Sequence, residues 1–179
     1  MRRARRGPIG VNTSTLIDAV GPPGQRVFLL QASEGIETIT LKLEKEQARV
    51  LAQGIDQVLD ELSERFPREI TKLEEPLSSE LVLRDPLEPS FVVGQIGLGY
   101  DESEDALVLV VQELTAAEED AELAAIARFW ATRGQMQALS HHVQEIVAQG
   151  RPICPLCNQP IDPDGHFCPK SNGHERPLQ

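Results

Sequence analysis

All three cysteines of the chain, Cys154, Cys157 and Cys168, and two of its four histidines, His166 and His174, fall in one stretch, CPLCNQPIDPDGHFCPKSNGH. Cys154 and Cys157 are spaced C-x-x-C with Pro155 between them, a spacing that turns two thiolates toward one ion. Asp162-Pro163-Asp164-Gly165 follows and reads as a reverse turn that folds His166 and Cys168 back onto the first pair. Three thiolates and one neutral imidazole complete a tetrahedral shell, the closed pattern of a structural zinc site. The expected metal ligands are therefore Cys154, Cys157, His166 and Cys168, and the expected cofactor is Zn2+. His174 competes for the fourth place at an acceptable Cys-x5-His spacing, but His166, directly after the turn, is favoured.

Other uses of these residues fit less well. A C-x-x-C redox pair normally opens a helix in a βαβ unit, whereas prolines and turns surround this one. Iron–sulfur clusters normally take four cysteines, and only three exist here. A catalytic zinc keeps a coordination place for water, which a full Cys3His shell lacks. The deaminase signature needs H-x-E ahead of P-C-x-x-C; His141-His142-Val143-Gln144-Glu145 does not supply it. The sequence also holds no phosphate-binding glycine loop and no nucleophile elbow. It thus nominates no catalytic and no organic-cofactor residues.

The elements that must carry this tail are read from hydrophobic period. Strands are expected over VNTSTLIDAV (11–20), QRVFLLQA (25–32) and TITLKLE (38–44), separated by the turns GPPG and SEGIE. From Glu44 the apolar residues Val50, Leu51, Ile55, Val58, Leu59 and Leu62 recur at helical steps, so a helix runs to about Glu64 with Pro67 closing it. FVVGQIGLGY and ALVLVVQEL form a hairpin about DESED, and IARFWAT (126–132) is a further strand. RGQMQALSHHVQEIVAQG (133–150) is a second helix with the stripe Met136, Leu139, Val143, Ile146 and Val147. The second strand–helix unit aligns on the first at an offset of 88 residues, pairing Gln47 with Gln135, Leu51 with Leu139 and Ile55 with Val143. The rival reading is that any two amphipathic helices align in this way. The fold class is α+β: antiparallel sheets covered by two helices, as two pseudo-symmetric β-β-β-α halves, plus a small C-terminal zinc knuckle. The expected organisation is a basic arm over 1–8, a body over 9–150 with halves at 9–66 and 89–150, and a zinc-binding tail over 151–179.

Composition narrows the function classes. Net charge is −11 and aromatics are 4 %, so the core is aliphatic and a general polyanion-binding role is disfavoured. The nine carboxylates of DESEDALVLVVQELTAAEEDAE lack the glycine and closing ligand of a calcium loop and read as a solvated hairpin end. No apolar run reaches the length of a membrane span, and MRRARR lacks the apolar follow-on of a secretory signal. A cytoplasmic protein with reduced thiols is the expectation.

GPPGQRVFLLQA, LEKEQARVLAQGIDQVLDEL, VGQIGLGYDESED and the cysteine-rich tail together resemble the bacterial, mainly actinobacterial, family known as domain of unknown function 3090. The resemblance runs from about residue 9 almost to the end. The family's terminal motif, C-P-L-C-G-x-P-x-D-P-x-G-H-x-C-P-R-x-N-G, falls on Cys154, Cys157, His166 and Cys168, which implies His166 rather than His174. Asn158 stands where the family has glycine, and Lys170 where it has arginine. The resemblance brings no activity with it. Family members tend to be encoded beside a phosphoglycerate-mutase-like protein and one resembling lipid kinases, which implies a shared pathway or complex.

Three function classes follow. A non-enzymatic adaptor, in which the zinc tail docks a protein partner, fits the acidic body best. A nucleic-acid binder would use RRARR with Arg151, Lys170 and Arg176. An enzyme of phosphorylated metabolites would place its site between the two halves.

Overall fold

A computed structural model describes residues 14–71, 74, 76, 81–116, 123–161 and 165–170. Two antiparallel three-stranded meanders, each followed by a helix, make the α+β fold. β1 (Ser14–Val20), β2 (Val27–Glu34) and β3 (Glu37–Leu43) form one sheet in that order, and α1 (Lys45–Arg65) follows. β4 (Val93–Asp101), β5 (Ala106–Glu113) and β6 (Ile126–Ala131) form the other, followed by α2 (Arg133–Ala148). Of the first expected strand, residues 11–13 lie outside the described residues.

The turn expected over 33–37 is tighter than its composition suggests. Glu34 pairs with Glu37, which leaves Gly35 and Ile36 as a two-residue loop. Gly35, at φ 60°, takes the positive angle that a tight hairpin demands at its first central position. The strands therefore run on through Ser33 and Glu34.

Both helices begin with the same device. Glu44 caps α1 and Thr132 caps α2, each in a capping box with a glutamine three residues on, Gln47 and Gln135. The ladders repeat as well: Leu30 faces Leu41 across β2–β3, and Leu109 faces Phe129 across β5–β6. The inner faces of the two sheets and the apolar stripes of both helices meet in one aliphatic core, in which Leu30, Leu41, Ile55, Leu107, Leu109, Phe129, Met136 and Leu139 are buried.

The helices pack antiparallel about the pseudo-two-fold, so equivalent residues touch. Ser140 Oγ donates to Ala52 O (3.1 Å) and to Asp56 Oδ1 (2.5 Å), and Gln144 Nε2 donates to Asp56 Oδ2 (2.7 Å). The first residue of each helix also reaches the far end of the other. Arg133 Nη1 donates to Phe66 O at the end of α1 (2.9 Å). Lys45 Nζ stands where a side chain on Gly150 would lie. Cations at helix C-termini satisfy terminal carbonyls and oppose the helix dipole.

The connector between the halves covers the outer face of the first sheet. Gln31, buried in β2, donates from Nε2 to Arg84 O (2.6 Å) and accepts from Arg84 N at Oε1 (2.8 Å); Thr40 Oγ1 donates to Pro86 O (2.7 Å). Residues 90–92 then run beside β3, with Ser90 N bonded to Thr40 O and Lys42 N to Phe91 O.

The acidic hairpin end is not merely solvated. Asp105, at φ 48°, accepts at Oδ1 from Arg133 Nε (2.9 Å) and from the Tyr100 hydroxyl (2.6 Å), and its Oδ2 pairs with Arg68. Arg68 also grips Glu74 through two bonds of 2.7 and 2.9 Å. This network ties the end of α1, the connector, the β4–β5 turn and the start of α2 together. The Arg68 guanidinium holds the Glu74 carboxyl down at about 2, against an ordinary value of 4.5. A lowered carboxyl stabilises the fold above its unfolded-state value, and that contribution is lost as pH falls through the folded-state value. Denaturant unfolding at about pH 5 and about pH 3 should show a loss of stability on acidification that is smaller in Glu74→Gln; an identical loss in the variant means the ion pair contributes nothing.

Candidate metal centre

The segment after α2 buries little apolar surface, so its shape comes from backbone hydrogen bonds. Ile153 and Pro160 form an antiparallel bridge. Cys154 N donates to Gln159 O (2.8 Å), Asn158 N to Cys154 O (2.9 Å) and Ile161 N to Pro152 O (2.7 Å). These bonds close a small hairpin with Pro155, Leu156 and Cys157 at its tip. Asn158 ends the turn at φ 60°. A glycine suits that left-handed angle best, and asparagine is among the few other residues that adopt it routinely.

The hairpin brings together every residue of the expected ligand set. One ligand atom each from Cys154, Cys157, His166 and Cys168 lies within 4.8 Å of all the others. Cys154 Sγ is 3.8 Å from Cys168 Sγ, and Cys157 Sγ is 3.2 Å from His166 Nε2. Disulfide sulfurs stand about 2.05 Å apart, so the three cysteines are free thiols. The Cys154 and Cys168 side chains are buried, whereas Cys157 and His166 are half-buried.

The backbone prepares one sulfur in particular. The N–H groups of Cys157 and Leu156 point at Cys154 Sγ and pull its thiol down to about 6. Burial, and then the neighbouring thiols of Cys154 and Cys168, push Cys157 up. A positive ion among these donors is what lets several adjacent thiolates coexist. Three sulfurs and one imidazole nitrogen are a donor set that fits a metal ion, and all four of its positions come from the protein.

His174 and the turn residues Asp162, Pro163 and Asp164 lie outside the described residues, as does RRARR. Gly165, at φ 93°, leaves that turn in a conformation that favours glycine. His141 and His142 sit on α2 away from the cysteine cluster, and His142 Nε2 is 3.7 Å from Asp18 Oδ2. Phe129 is buried and Trp130 half-buried, as neighbours on one strand should be.

Sequence reasoning missed the Arg68–Glu74–Asp105–Arg133–Tyr100 network. Its members are far apart in the chain and follow no period. The one available signal was an arginine at the first position of α2, where acidic residues are usual. Arg151, named from the sequence only as a nucleic-acid contact, places its side chain over Gly24 in the β1–β2 turn.

The family described as protein of unknown function (DUF3090) matches residues 11–168. The chain belongs to this family. The match spans both meanders, both helices and all four clustered donor residues. No curated protein and no solved structure matches the chain. Among the described residues of this DUF3090 member, no helix is long and apolar enough to cross a membrane.

The geometry at Asn158 generates a prediction. Asn158→Gly should leave the hairpin intact, whereas Asn158→Val should cost about 1–2 kcal/mol in a left-handed conformation. Amide exchange of the Cys154–Gln159 and Asn158–Cys154 bonds should then accelerate in the valine variant only.

Proposed function

We propose that this chain is a non-enzymatic interaction protein in which Cys154, Cys157, His166 and Cys168 hold one structural Zn2+ ion. The observation that carries the reading is the convergence of four donors at the spacing of a tetrahedral shell. Two sulfurs bonded to zinc at about 2.3 Å stand about 3.8 Å apart at the tetrahedral angle, and a sulfur and an imidazole nitrogen about 3.5 Å apart. The corresponding separations here are 3.8 Å and 3.2 Å. All-thiolate-and-imidazole ligation favours zinc over the hard cations, which take oxygen. With Nε2 of His166 directed to the ion, the imidazole proton resides on Nδ1.

A shell filled by protein leaves no place for a reacting water, so the ion fastens the tail rather than catalysing. Such sites stabilise their folded segment by about 10–16 kcal/mol at neutral pH. The knuckle's apolar side chains support an interaction role, because Ile153, Leu156 and Phe167 are 53, 55 and 73 % exposed around the cluster. Three large apolar groups, two on the hairpin and Phe167 between His166 and Cys168, form a small docking face for a protein.

Purified protein should contain about one zinc per chain by elemental analysis. Cys157→Ser should release the ion and disorder the tail, while the circular dichroism of both helices and sheets persists. His166→Ala should weaken zinc retention in a chelator competition far more than His174→Ala. A metal-free protein whose tail amides remain protected would remove the basis of this reading.

A further inference from the structure

The two halves differ at one place along their pseudo-two-fold. On one side α2 lies against β1, and His142 and Asp18 fill the seam with their side chains 3.7 Å apart. The capping boxes and ladders make Gly54 the counterpart of His142, and Gly99 that of Asp18. Both seam-filling side chains are therefore glycines in the other half, where α1 touches β4 only lightly. Of these two glycines Gly54 lines an open groove of about 400 Å³ between α1 and β4, with Glu46, Gln47, Val50, Leu51, Ile96 and Leu98 among its other walls.

β4 is also an outer strand. Gln47 Nε2 donates to Val93 O (3.2 Å) and Gly94 O (3.1 Å) at its start; beyond these bonds and the Lys42–Val92 bridge, no described strand pairs with its outer edge. Soluble proteins blunt such edges with charge or proline. The outer strands β1, β3 and β6 carry Asp18, Lys42 and Arg128 within their length, whereas β4 has no proline and its one charge, Asp101, stands at its last position. Gly97 and Gly99 are exposed, and side chains at either would meet nothing closer than 3.9 Å. An edge uncharged before its last residue, with glycines beside an aliphatic groove, has the features of a strand-addition site.

We propose that the β4 edge and the α1–β4 groove bind an extended peptide segment of a partner protein. The visiting strand pairs with β4, sets alternate aliphatic side chains beside Ile96 and Leu98, and carries lysine or arginine at its ends. Charge fixes that last feature. Among the described residues the one charged side chain lining the groove is the acidic Glu46, which pairs with Arg49, and β4 runs out of the groove into the acidic turn residues Asp101, Glu102 and Glu104. A net charge of −11 opposes a second copy of this chain as the occupant. The site is separate from the metal centre, so it stands or fails independently of zinc.

The test uses the full, zinc-loaded chain and an end-blocked peptide, Lys-Val-Thr-Val-Thr-Val-Lys, followed by amide nuclear magnetic resonance. The peptide should shift the amides of Gly54, Gly94, Gly97 and Gly99, and a peptide with proline for the central valine should not. A side chain at Gly54 meets nothing within 4 Å, so Gly54→Leu fills the groove without disturbing the fold. This variant should melt no lower than wild type and bind the peptide about tenfold more weakly. Silence of these amides at about 1 mM peptide, an equal response to the proline peptide, or undiminished binding by Gly54→Leu overturns the proposal. So does self-association of the peptide-free protein through β4.

Discussion

A three-stranded meander with one helix is too small to hide its own apolar face, and the rest of this structure follows from how two such units close over each other. They meet where α1 and α2 cross antiparallel. At that seam the buried Ser140 hydroxyl and Ala52 carbonyl are cut off from water, and they satisfy each other with the help of the half-buried Asp56 carboxylate. A polar clasp inside an aliphatic core is directional where apolar packing is not, so it sets the register of one helix on the other. Once that register is set, the cation at the start of each helix meets the end of its partner. The Arg133–Asp105–Arg68–Glu74 network then locks the connector and the β4–β5 turn onto the same corner.

The local parts of this arrangement were legible in the sequence. Alternation marked TITLKL as a strand, the apolar run ALVLVV beside the turn DESED marked a hairpin arm, and helical spacing of Leu51, Ile55 and Leu62 marked α1. The 88-residue offset of Gln47 and Gln135 marked a repeated strand–helix unit, and the structure shows that each of these glutamines closes a capping box. The four clustered donors were legible for a similar reason. Cys-x-x-C and His-x-Cys joined by a reverse turn are local chemistry, and the chain needs only to bend once to bring them together. What escaped was long-range. Asp105 looked like a solvated turn residue because nothing near it in sequence is basic; both of its arginines come from other elements. Gln31 and Thr40 interrupt the apolar character of β2 and β3, and the reason lies in Arg84 and Pro86, some fifty residues on. Pairings of this kind leave no period to read.

The C-terminal knuckle obeys a different rule from the body. The body is held by burial of aliphatic surface, whereas the knuckle exposes Ile153, Leu156 and Phe167 and buries little besides two sulfurs. Its hairpin supplies backbone N–H groups to Cys154, and that polarisation favours the thiolate form a metal ligand needs. Asn158 in place of glycine retains the left-handed turn, so this departure from the family motif is absorbed by the one backbone angle where asparagine is well tolerated.

The internal two-fold has an evolutionary implication. If each half were a separate molecule, any change at the seam would appear twice in the assembled pair, and the two flanks could never differ. Joining the copies in one polypeptide removes that coupling and makes their association independent of dilution. A histidine and an aspartate on one flank, opposite two glycines on the other, are an asymmetry open only to a fused duplicate. One copy can keep a sealed wall while its twin is hollowed out.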